Sequence, residues 1–301
     1  MAHISSITKV QNSSATVVTI TLTAAVSAGH TLIGGICWEA AAGTVPTISS
    51  IVDSRSNTWT TTPDDSVVAA TTLAVAVIRA RVTTALQVGD TITITISAAR
   101  SKWAIQIDEF DDVNASSPKD VVAHNAPGSS TSLASGTTAT TAQAYELLYA
   151  VFGLGTGRTI TIPSGWSGGA SVETTGGTDR ALQAAWKYQA TTGAQSVTLT
   201  LNTASTYGGV IAAYKATSLA PPLGRVSQVK LQVPQATAPA VGRVSQVRLA
   251  VPVGATGVVR VAQVKLRVPT LTGQTPYSGI KGAVDGVLTD SAISTAQNGA
   301  V

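Results

Sequence analysis

Two stretches of this 301-residue chain alternate strictly between polar and aliphatic side chains: TITITIS (91–97) and SVTLTLN (196–202). A period of two sends successive side chains to opposite faces. Each stretch therefore predicts a strand that turns Ile92, Ile94 and Ile96, or Val197, Leu199 and Leu201, inward. The branched β-carbon of threonine favours the extended backbone. The runs LIGGIC (32–37) and LLYAVF (147–152) are apolar throughout, as strands in a sheet covered on both faces would be. Turn-forming clusters such as Val88-Gly89-Asp90 and Ser56-Asn57 separate the strands. Charged residues make up only 11% and aromatics 4%, so Thr, Ser, Val, Ala and Gly dominate and amphipathic helices have little to be built from. The fold class is all-β.

The same order of segments appears twice. GHTLIGGICW (29–38), SRSNTWTT (54–61), LAVAVIRARVTT (73–84), TITITIS and KWAIQIDEF (102–110) are answered by AYELLYAVFG (144–153), IPSGWSG (162–168), ALQAAWKYQATT (181–192), SVTLTLN and YGGVIAAYK (207–215). Trp59 answers Trp166. This predicts two tandem, duplicated antiparallel β-sandwich units of jelly-roll or immunoglobulin-like type. The first occupies 1–113. Residues 114–141, rich in Ser, Thr, Ala and Gly with Pro118 and Pro127, read as a connector, and 142–217 complete the second unit.

After a proline joint at Pro221-Pro222, one phrase is written three times in 218–272: RVSQVKLQVP from Arg225, RVSQVRLAVP from Arg243 and RVAQVKLRVP from Arg260. Each copy predicts a short strand closed by proline, which cannot donate into a ladder. Burying three aliphatic side chains gains roughly 1.5–3 kcal/mol each, whereas ordering a strand costs about 1–2 kcal/mol per residue. One copy cannot fold alone. The apolar stripe of Val229, Leu231, Val233, Val247, Leu249, Val251, Val264, Leu266 and Val268 is thus the expected assembly interface. Residues 1–217 carry 11 Lys+Arg against 13 Asp+Glu, and 218–301 carry 8 against 2, so the basic character belongs to the repeat segment. No aromatics are interleaved to stack bases, which speaks against nucleic acid. A solvated, strand-protecting face is the simpler reading. Residues 273–301 predict an extended tail that orders on a neighbour's surface or stays mobile.

Little points to chemistry. His3, His30 and His124 sit in no catalytic phrase, and no metalloprotease, nucleophile-elbow, P-loop or dinucleotide motif occurs. The densest carboxylate group, Asp108-Glu109-Phe110-Asp111-Asp112, has no calcium-loop spacing, and neighbours on a strand alternate faces; it reads as a charged strand end running into a loop. The lone Cys37 excludes a disulfide framework within the chain and predicts a buried, inert thiol. Of the five tryptophans, Trp59 and Trp166 are the candidates for stacking on a sugar ring, against the plainer reading of core or turn packing. No catalytic, cofactor or metal site is expected. No signal peptide is visible at the N-terminus and no apolar stretch reaches the length of a membrane span.

The DSRSNTW hairpin (53–59), GDTITIT (89–95), AIQIDEF (104–110), SGTTATTAQAYEL (135–147) and VIAAYKA (210–216) resemble the Thr/Ser-rich β-sandwich modules of tailed-phage virion proteins and related bacterial surface proteins. The repeats and the ending PYSGIKGAVDGVLTDSA (276–292) resemble the C-termini of minor tail proteins of phages infecting actinobacteria. The resemblance implies a non-enzymatic virion structural protein, a minor tail protein or an external head or tail decoration, made in the host cytoplasm. Its implied partners are other virion proteins and itself, a trimer by analogy with phage fibres. The alternative is a carbohydrate-binding module that recognises the host envelope.

Overall fold

The computed structural model describes residues 1–39, 46–70, 72–176 and 179–217. The repeat array, its nine assembly residues and the tail (218–272 and 273–301) lie outside the described residues. Among the described residues every regular element is a strand, and no helix is long and apolar enough to cross a membrane.

The first nine strands are β1 (His3–Gln11), β2 (Ala15–Thr21), β3 (Thr31–Glu39), β4 (Ile48–Asp53), β5 (Thr58–Trp59), β6 (Asp65–Ala69), β7 (Leu73–Arg81), β8 (Thr91–Arg100) and β9 (Trp103–Phe110). They make two antiparallel sheets. A middle sheet runs β1-β9-β3-β7-β5 with β6 also on β7, and a small sheet runs β2-β8-β4. Seven further strands follow: β10 (Lys119–Ala134), β11 (Glu146–Leu154), β12 (Ile160–Thr161), β13 (Ser167–Gly168), β14 (Val172–Glu173), β15 (Ala181–Gln189) and β16 (Thr198–Lys215). They form a second large sheet in the order β10-β16-β11-β15-β13, with β12 on β16 and β14 on β15.

The period of two decides what each strand touches. Along β3, Leu32, Ile36 and Trp38 join the core shared with the small sheet, whereas Ile33 and Cys37 join the core shared with the second large sheet. The middle sheet is therefore covered on both faces, which is why β3 carries no polar alternation. β11 does the same: Leu147, Tyr149 and Val151 face the middle sheet, and Ala150, Phe152 and Leu154 face a third core closed by Leu133, Val197, Leu199 and Leu201. In β8 the isoleucines at 92, 94 and 96 are buried and the threonines between them are half-exposed. Thr19 and Thr93 meet hydroxyl to hydroxyl at 3.2 Å on the outer face.

The two large sheets approach closely because glycine faces a branched side chain in both directions. A Cβ on Gly35 would stand 2.7 Å from Val151 Cγ1, and one on Gly153 would stand 2.9 Å from Cys37 Sγ and nearer still to Val75. Either would force the sheets apart.

One assignment is corrected. Within 114–141, which composition marked as a connector, β10 is a 16-residue strand paired with β16 along most of its length. Composition reports burial better than pairing, and an edge strand with a largely half-exposed surface needs few apolar residues. Pro127 falls at a register shift between Asn125 and Gly128, where no ladder donor is needed.

Candidate functional site

The polar side chains that bear chemistry gather where the middle sheet meets the second large sheet. Position 108 follows Ala104 and Gln106 on the β9 face turned that way, so Asp108 is fully buried. Its carboxylate accepts from the Tyr149 hydroxyl at 2.6 Å, from Gln106 Nε2 at 3.0 Å to both oxygens, and from Ser6 Oγ at 2.5 Å. His3 Nε2 lies 3.3 Å from Asp108 Oδ1 and 3.0 Å from Ser6 Oγ, and its ring stacks on Trp186 at 4.2 Å.

Serine, histidine and aspartate together suggest a hydrolase triad, and the geometry denies it. A triad needs serine on one imidazole nitrogen and aspartate on the other. In this cluster both sit on Nε2, and the serine hydroxyl gives its proton directly to the aspartate. The imidazole therefore does not bridge serine and aspartate as a triad base must. Burial, reinforced by the Asp108 charge, pushes the Tyr149 hydroxyl well above its ordinary pKa, so it remains a donor.

A second pin of the same kind lies nearby in the fold. Asp64 is buried and accepts from Arg79 Nε at 2.8 Å and from the Tyr214 hydroxyl at 2.8 Å, with Lys119 Nζ 3.9 Å from its other oxygen. Burial and Asp64 likewise raise the Tyr214 hydroxyl. His124 pairs with Asp65 at 3.1 Å.

The remaining carboxylates of the 108–112 group diverge. Glu109 points to the opposite face from Asp108 and accepts from Ser5 Oγ at 2.8 Å, with His30 Nδ1 at 2.6 Å. Asp111 and Asp112 lie 3.5 and 3.4 Å from the Met1 amine. The charged strand end predicted for this group is thus buried at Asp108 and Glu109, because each finds donors on a neighbouring strand. Among the described residues no cluster of three or more His, Cys, Asp or Glu is placed to hold a metal ion.

The DSRSNTW hairpin proves to be a turn device. Asp53 Oδ1 accepts from the backbone N–H of Arg55 (2.9 Å) and of Asn57 (3.2 Å), and Oδ2 accepts from the Trp59 indole N–H at 2.8 Å. Asn57 Oδ1 in turn accepts from the backbone of Thr83 and Thr84, both at 2.8 Å. Trp59 is 6% exposed, packed in the turn as the plainer of its two readings has it. Trp166 is half-buried against the third core. Cys37 is buried and free, and burial pushes its thiol up to about 12, leaving it unreactive. A hollow of about 330 Å³ beside Trp38, Thr61, Pro63 and Val67 has no titratable side chain among its described lining.

Sequence reasoning missed Tyr149, Tyr214 and Gln106. A signal was present for the tyrosines: each interrupts an apolar strand, and a buried phenol needs a partner. Nothing in the sequence says which carboxylate that partner is. No family model, no curated protein and no solved structure matches this chain.

Proposed function

We propose that this chain is a non-enzymatic structural protein of a phage virion, a minor tail protein or an external decoration, which attaches and oligomerises through its C-terminal repeats and displays the β-rich body. The observation that carries the reading is the use made of the chemical side chains. Asp64, Asp108, Glu109, His3 and His30 are engaged by protein partners at the seams between strands and sheets. Such groups hold a body rigid, whereas a catalytic group needs a free position for substrate. The thrice-written basic phrase with its apolar stripe supplies the point of attachment, and the phage resemblance of the sequence supports the setting.

We also read the body as two duplicated units. The strand orders β1-β9-β3-β7-β5 and β10-β16-β11-β15-β13 correspond segment for segment, although the alternating stretch at 91–97 lies in the small sheet and the one at 196–202 leads into β16 of the second large sheet. Together with the duplicated sequence segments, this favours a tandem pair of sandwiches sharing one seam.

The test uses the full chain. Leu231→Asp, Leu249→Asp and Leu266→Asp together place a charge in every copy of the apolar stripe. Light scattering is expected to show an oligomer for the parent and a monomer for the triple variant. Mass spectrometry of purified particles is expected to find the chain among the virion proteins. A monomeric parent that is absent from particles, or a protein that hydrolyses cell-wall glycan at an enzymatic rate, overturns the reading.

A further inference from the structure

Glu146 opens β11, opposite Lys215 of β16 and Gln189 of β15. It is 1% exposed, and neither of its carboxyl oxygens has a hydrogen-bond partner. The backbone N–H of Gln143 approaches without hydrogen-bonding geometry. Lys215, opposite Glu146 on the ladder, has its ammonium 3.5 Å from Asp120 of β10, which sets a second carboxylate against Glu146. Asp120 has donors of its own: the Ala142 N–H at 2.6 Å and the Lys215 ammonium at 3.5 Å.

Two ionised carboxylates set against each other, one of them buried without a donor, would be costly on both counts. A single proton removes both costs. It neutralises Glu146 and turns it into a donor toward Asp120, whose remaining acceptor capacity is already served by Ala142 and Lys215. We propose that Glu146 and Asp120 hold one proton between them, and that this shared proton ties β10 to β11 around the end of β16, the strand from which the chain continues into the repeat segment.

The charges that face the pair are consistent with this. Burial first, and then the Asp120 charge, push the Glu146 carboxyl up to about 7, against the opposing pull of Lys215. The sign follows from linkage. The folded protein keeps a proton that the unfolded chain releases near the ordinary glutamate value. The pair's contribution is therefore complete at acid pH and is lost as pH rises through about 7. A divalent cation is the weaker occupant, because two carboxylates already served by an ammonium fall short of the oxygen cage that calcium requires.

Carbon-13 titration of glutamate carboxyls in the full-length protein reads the site directly. The expected result is one carboxyl titrating near neutrality that disappears in Glu146→Gln and moves to lower pH in Asp120→Asn. In parallel, the thermal midpoint of the parent is expected to fall from about pH 5 to about pH 9 relative to that of Glu146→Gln. A Glu146 that titrates at the ordinary glutamate value overturns the proposal, and that measurement needs only the parent and an assignment. A titration unmoved in Asp120→Asn overturns the sharing. A midpoint raised by calcium and indifferent to pH overturns the proton in favour of a cation.

Discussion

The two seams of the middle sheet are built differently. Toward the small sheet the contact is hydrocarbon, with Ile20, Leu22, Ile92, Ile94, Trp103 and Ile107 among its members. Toward the second large sheet small and polar residues intervene: Gly35 and Gly153 let the backbones close in, and Asp108–Tyr149 and Asp64–Tyr214 bond across the gap. Hydrocarbon burial supplies free energy in proportion to area and is indifferent to direction. A carboxylate–phenol bond works at one distance and one angle, and a buried polar group left unpaired is penalised. Both seams draw stability from buried hydrocarbon, and the second adds the directional bonds that define how two large sheets register.

That contrast can be broken most forcefully in the hydrocarbon seam. Ile94→Ala leaves a cavity where the chain has little freedom to collapse, and a loss of about 4 kcal/mol is expected in urea denaturation. Next comes Gly153→Val, which overfills the close seam; a loss of about 3 kcal/mol is expected, and an Ala substitution should cost less. Tyr149→Phe keeps the volume and removes one donor from Asp108, for an expected loss of about 2 kcal/mol. A double cycle with Asp108→Asn sharpens the comparison. Coupling between the two sites supports the pin, and strict additivity removes it. Smallest of all is the exposed Arg55–Asp90 pair, 2.8 Å apart, which holds the Asp90 carboxyl below its ordinary pKa. Arg55→Ala is expected to leave the thermal midpoint within error and to be insensitive to salt.

Much of this was legible in the residues themselves. The alternation at 91–97 and 196–202 matches the burial found at Ile92, Ile94, Ile96, Val197, Leu199 and Leu201, and the uninterrupted LIGGIC and LLYAVF runs are strands buried on both faces. Cys37 is the buried thiol that its apolar surroundings predict. Strand β10 was not legible, because Ser, Thr and Gly on a half-exposed edge look like a loop. For Trp59 the residue type left turn packing and sugar stacking both open, and what the sequence could not name was the partner of its indole N–H, which is Asp53, six residues away.

The candidate polar residues follow the same division. That Asp108 and Glu109 face opposite sides could be stated from the period of two alone. That Asp108 meets Tyr149, Asp64 meets Tyr214 and Glu146 meets Asp120 could not, since the partners lie 41 and 150 residues apart for the first two and on separate strands for the third. Periodicity is a local property of a chain and is fixed by backbone sterics, so the sequence by itself determined that this protein is made of strands and which side of each strand is apolar. Which strand lies across from which is a property of sheet order and of the packing of one sheet on another. Only the tertiary structure, where long-range pairing and the cost of an unpaired buried charge are settled together, decided which carboxylate each tyrosine would hold.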